Sequence, residues 1–234
     1  DPLRFATLRR GLRAHVVQRG AHAQWDFAHA QMRQAVEHRA THHRRDLSAV
    51  HDAVGRHLLA LRRDDAVHES ETLVHLMRGS DPGRAARYYG GELTEGEARG
   101  ATAALASMLA AGQAAEVVAL LEGEADPVRR ARAGERFLFE LIEAVEHVTP
   151  LDVRALLARS AGAVFQVLAA MDPGNAGWQR DLTVSHHRIG DVLVAQGNLP
   201  GALAALQASL TIAERLAVAD PGNAGWQHDL SVSH

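Results

Sequence analysis

The chain has 234 residues, 47% of them hydrophobic, a formal net charge of −3, no cysteine, and 25 basic residues that are all arginine. Without lysine there is no P-loop, Schiff-base or Ser-x-x-Lys chemistry. Without cysteine there is no thiol catalysis, disulfide or cysteine–zinc module. Arginines interleaved with acids, and aromatics at only 4%, give neither a basic stripe for a phosphate backbone nor a stacking platform, so nucleic acid is not an expected partner. The longest uncharged stretch, residues 192–213, has Gly197, Asn198 and Pro200 in its middle. It reads as two helix ends and a turn, not a membrane span.

From the N-terminus, the segment WDFAHAQMRQAVEHR (Trp25 to Arg39) places an aromatic-x-Phe-x-His run before a helix carrying Met32-Arg33. Val50-His51, Val54-Gly55 and Leu58 then suggest a first arm helix, and LVHLMRGSDPGRAARYY (Leu73 to Tyr89) a helical hairpin. Together these resemble the winged-helix end and helical arm of STAND-type NTPases, the multidomain switches that include NACHT and NB-ARC proteins. The resemblance implies that His29 contacts the diphosphate of a bound nucleotide. The lysine-free chain lacks the Walker loop that would hold that nucleotide, and a histidine capping a local turn is the plainer reading of His29.

His38 and His42 lie one turn apart, with His43 and Glu37 nearby, but no third ligand has suitable spacing and His-Glu-x-x-His is absent. No metal is expected there or at His186-His187 with Asp191. The fifteen histidines read as polar surface residues. Arg62-Arg63 beside Asp64-Asp65 reads as a solvated charge run.

Residues Thr94 to Gly123 predict a helix pair broken at Gly112, with a capping box from Thr94 and Glu97. Arg130 to His147 and Leu151 to Ala170 predict another pair, turned by Thr149-Pro150.

The most informative feature comes last. MDPGNAGWQRDLTVSH (Met171 to His186) recurs as ADPGNAGWQHDLSVSH (Ala219 to His234), changed at three positions and offset by 48 residues, Asp220 against Asp172. Between the phrases, Leu182, Ile189, Val192, Leu193 and Ala195 mark one helix, from Trp178 to Gln196. Leu203, Leu206, Leu210, Ala213, Leu216 and Ala217 mark a second, from Pro200 to Ala219. Gly197-Asn198 separates them and Pro200 opens the second. In the phrase itself, Asp220 before proline ends a helix, Gly222 lets the chain reverse, and Asn223 caps the next helix. Trp178 and Trp226 are expected to fill the wedge between successive helix pairs.

Ile189-Gly190, Leu193, Gly197, Ala202, Leu206 and Ser209-Leu210 resemble the tetratricopeptide (TPR) pattern. His186 stands where that pattern has tryptophan, and the period exceeds the usual value of about 34. The resemblance is to the extended repeats of bacterial sensor proteins, and it implies a cytoplasmic signalling protein whose groove is lined by Val184, His187, Asp191 and Val194. Gly190, close to a neighbouring helix, and Gly197, at the turn, have structural roles with Trp178 and Trp226.

The expected fold is all-α: a TPR-like helical-repeat superhelix preceded by a winged-helix-like and helical segment. The expected divisions are the end of a winged-helix-like domain (1–40), a helical arm (41–125), an atypical capping repeat (126–170), and one complete and one truncated repeat (171–234). Ser160, Ser185 and Ser209 sit in helical patterns and no Gly-x-Ser-x-Gly occurs, so no enzyme is expected, and no cofactor. The expected function is a protein–protein interaction scaffold, the sensor arm of a larger bacterial signalling protein, binding a protein or peptide or a second copy of itself. The alternative is the regulatory part of an ATP-dependent STAND switch.

Overall fold

The computed structural model describes residues 16–19, 24–27 and 47–233, and among these the protein is all-α apart from one small hairpin. Strands β1 (Val16–Arg19) and β2 (Gln24–Phe27) pair antiparallel, Val16 opposite Phe27. The winged-helix-like expectation for this region assigned no particular strand; the β-branched pair Val16-Val17 and the aromatics Trp25 and Phe27 carry the β-propensity. The helices follow as α1 (Ser48–Leu59), α2 (Ala66–Met77), α3 (Pro82–Tyr89), α4 (Glu95–Ala110), α5 (Ala114–Glu122), α6 (Pro127–Arg136), α7 (Leu151–Met171), α8 (Ala176–Ala195), α9 (Leu199–Ala219) and α10 (Ala224–Ser233).

Their ends are set by side chains the sequence supplies. Asp65, Asp81, Asp126, Asn175 and Asn198 each accept a backbone N–H at a helix start, and Thr94 with Glu97 forms the capping box. Gly112 (φ 80°) and Gly197 (φ 75°) close α4 and α8 in the left-handed region; the Gln113 amide then donates to the Met108 carbonyl and the Asn198 amide to the Leu193 carbonyl. Gly222 is not in that region, so the chain reverses there without needing glycine's freedom.

The two copies of the repeated phrase adopt one geometry. Asp172 (φ −136°, ψ 87°) and Asp220 (φ −139°, ψ 82°) leave their helices in nearly identical extended conformations. Asn175 accepts from the Trp178 amide and Asn223 from the Trp226 amide. Gln179 donates to the Ala169 carbonyl, and Gln227, 48 residues on, to Ala217. The phrase is therefore a joint that satisfies the free carbonyls of one helix and the free amides of the next. The tryptophans only half fill their expected wedge: both are half-buried, Trp178 packed against the edge of the core, while the neighbouring Gln179 is 6% exposed.

One 48-residue plan also covers α6 and α7, since α7 and α9 have the same bounds 48 residues apart. The first helix of that earlier pair is not continuous. It runs from α6 into a π-helical turn, Phe137–Leu141, and a last helical stretch, Ile142–Ala144. Phe137, Leu138, Leu141 and Ile142 are all buried in this turn, and with Leu105 and Phe165 they occupy the centre of a core that runs from Leu73 to Leu182.

The charge run at residues 62–65 is only partly solvated. Arg62 and Asp64 form an exposed pair, but Asp65 caps α2 and Arg63 reaches across to Glu97. The stretch 192–213 is two helix ends and a turn, as its composition implies. By length and apolarity α7 and α9 could each cross a bilayer, but half of the α7 window is buried against other helices.

Candidate functional site

One helix face is only part-covered by packing. On α8 that face carries Val184, His187, Arg188 and Asp191, spaced at three- and four-residue steps. Val184, His187 and Arg188 line a cavity of about 220 Å³ with Thr183, with Ser209 from α9, and with His228 and Asp229 from α10. Ser209 is fixed as part of the wall, its hydroxyl donating to the Thr183 carbonyl at 3.1 Å. Asp229 is held by Arg180, whose Nε and Nη2 lie 2.6 and 3.4 Å from its carboxylate oxygens. This pair ties α10 to α8 and uses up the acid at the cavity mouth.

Of the four residues expected to meet a partner, Val184 and His187 line this cavity. Asp191 is exposed and pairs with His187 (3.8 Å); Val194 lies beyond the cavity, 51% exposed near the end of α8. The sequence reading missed Arg188, Ser209 and His228, whose relevance depends on α9 and α10 folding over α8. Gly190 has the expected close approach: a Cβ there would lie 2.7 Å from the Leu206 side chain. His186 is half-buried, and burial lowers its proton affinity.

The same face continues upstream. Arg136 and Glu140, each 48 residues before Val184 and Arg188, line a wider cavity of about 740 Å³ against α4, where Leu93, Ala98, Thr102 and Ala106 form the opposite wall. The π-helical turn lies on its edge and leaves Phe139 42% exposed. Arg136 also donates to the carbonyls of Tyr89 and Gly91, so one side chain both lines the cavity and fixes the connection between α3 and α4.

Below this surface lies a buried polar cluster. Glu97, 1% exposed, accepts from the Arg63 guanidinium, from His68 Nε2 at 2.8 Å and from the Thr94 amide at 2.7 Å. Burial alone would raise its carboxyl, but the hydrogen bonds from Arg63, Thr94 and His68 more than offset that and hold it at about 2. Asp181 is the opposite case. It is 8% exposed, has only Arg180 to oppose burial and the nearby Glu135, and is pushed up to about 7. Neither carboxylate lines the two cavities described above. They set the helix packing.

His29 and the His38, His42, His43 group lie outside the described residues. Among the described residues no three histidine, aspartate or glutamate side chains are grouped to hold a metal ion. No protein-family model, no curated protein and no solved structure matches this chain. The class established is therefore an all-α protein with helical hairpins repeated at a 48-residue interval.

Proposed function

We propose that this chain is a protein–protein interaction scaffold, the sensor arm of a larger bacterial signalling protein built from extended TPR-like repeats. The observation that carries the reading is the recurrent part-covered face. Arg136 at the end of α6 and Glu140 in the π-helical turn line one open cavity, and Val184 and Arg188, 48 residues on in α8, line another. Val184 and the His187 ring provide apolar contact, and Arg188, which has no ion-pair partner among the described residues, provides a charge for a polar or acidic side chain.

Peptide display selection on the full chain, counter-selected with a Val184→Asp/Arg188→Glu variant, tests this. The expected result is a family of peptides that bind the wild type and not the variant, the two proteins melting at the same temperature. Enriched peptides indifferent to both substitutions would contradict the assignment. Paired substitution of His187 and Asp191 should likewise weaken capture without lowering thermal stability.

A second reading, the regulatory part of an ATP-dependent STAND switch, is supported by the antiparallel hairpin β1–β2 ahead of the helical arm, which suits the wing of a winged helix. A phosphate-binding lysine loop encoded directly upstream of Asp1 would favour it.

A further inference from the structure

Of the described histidines, two pairs of ring nitrogens make contacts that depend on protonation in opposite ways. His68 directs Nδ1 at the Leu58 carbonyl (2.7 Å) and Nε2 at the Glu97 carboxylate, so the doubly protonated ring satisfies both acceptors. His51 on α1 and His75 on α2 instead face each other, Nδ1 to Nδ1 at 3.1 Å, ring centroids 4.9 Å apart and planes tilted by 50°. One N–H pointing at one lone pair fits that distance; two N–H groups do not.

We propose that the His51–His75 contact is an acid-released clasp: α1 stays docked on α2 while the two imidazoles share a single proton between their facing nitrogens, and comes away when both are protonated. The contact sits on the seam that holds α1. One turn along, Gly55 is buried, and a Cβ there would lie 3.3 Å from Leu76 and 4.0 Å from the His75 Cβ, so the helices are already in close contact. Both rings are part-buried at this seam, so charge placed on them bears on the helix contact.

The charges around the pair do not neutralise a second proton. On α1, Asp52 favours the charged form of His51, but it is already held by the Ser80 amide at 3.2 Å, by the Ser80 hydroxyl, and by Arg84 of α3 at 3.6 Å. On α2, Glu71 favours charged His75, while Arg78 opposes charge on both rings. Burial, then Arg78, lowers the proton affinity of His51; burial, then His51, lowers that of His75. Rings with affinities below the ordinary value of 6.5 take up fewer protons docked than apart. Docking is thus fully favoured above that pH and is lost as pH falls through the lowered values. Glu97, held at about 2 by its hydrogen bonds, stays ionised across this range, so its contacts keep α2 and α4 joined where α1 loosens.

Hydrogen exchange on the full chain, corrected for intrinsic rates, tests this at about pH 7.5 and about pH 5.5, either side of the imidazole range. Relative to the centre of α4, protection of α1 amides should fall at acid pH by at least about fivefold, the minimum that two like charges in contact produce even in water. A His51→Gln/His75→Gln variant, whose amides hydrogen-bond but do not titrate, should lose that pH dependence. Wild-type protection that ignores pH, or a variant that responds as the wild type does, would overturn the proposal. Should the variant fail to dock α1 at either pH, imidazole titration by NMR in the wild type decides: coupled steps from His51 and His75 support the clasp, and two independent ordinary steps overturn it.

Discussion

The hairpin α6–α7 and the hairpin α8–α9 follow one backbone plan and fill it in opposite ways. In the first, Gly134 lies against Phe165, where a Cβ would come within 2.9 Å of the ring. Their counterparts 48 residues on are Leu182 and Ala213, large and small exchanged between the two helices. The second pair shows the reverse exchange: Gly190 lies against Leu206, and 48 residues earlier stand Ile142 and Ala158. Interiors are packed to near-crystalline density, so a repeat can drift in sequence provided volume lost on one helix is regained on its partner. The comparison accounts for Ile142 standing where the later hairpin has Gly190, while α7 keeps the bounds of α9.

Substitutions that disturb one hairpin and spare the other would break or sharpen this comparison. The largest expected effect is Phe165→Ala, about 4 kcal/mol by chemical denaturation, because the ring is fully buried and Gly134 offers nothing to fill the space. Gly190→Ala comes next, about 2 kcal/mol from overpacking on Leu206, and Leu206→Ala in the same molecule should restore much of it. Without that rescue the Gly190–Leu206 contact would not be the one that matters.

Charge gives the smaller effects. Asp229 in α10 has Arg180, whereas its counterpart Asp181 has no such bond: Arg132, 48 residues before Arg180, turns instead to Glu92 at 3.3 Å. Asp181 is raised to about 7 from an ordinary 3.8, so the fold resists its ionisation, and its contribution is favourable in acid and lost as pH rises through about 7. Asp181→Asn should therefore raise stability by on the order of 1–2 kcal/mol above that pH, with the gain vanishing towards pH 4. Equal effects at both ends would assign the change to packing. Arg180→Ala should cost no more than about 0.5 kcal/mol, since its partner pair is half-solvated, and should show mainly as fraying of α10 in hydrogen exchange.

What the sequence made legible were the local devices. The repeated phrase, the capping box of Thr94 and Glu97, the turn glycines Gly112 and Gly197, and the proline at the start of α9 all act within a few residues of themselves, so periodicity and capping rules reach them. What it concealed were the contacts made across the fold. Arg63 looked solvated because Glu97 is 34 residues away, and His51 gave no sign of His75, 24 residues on. The cavity was half legible for the same reason. Val184 and His187 follow from the face of a single helix, while Arg188, Ser209 and His228 gain their role only from α9 and α10. The π-helical turn had no signal of its own, since a run of buried apolar residues suits either helical pitch.

The most direct test of the shared plan is a double-mutant cycle on Gly134 and Phe165, exchanging them for Leu and Ala, the residues of the later hairpin. The account predicts that Gly134→Leu/Phe165→Ala recovers at least about half of the stability lost by the two single changes, a strong favourable coupling. Additive losses would mean that α7 and α9 share bounds while the two hairpins do not share a packing scheme, and would contradict it.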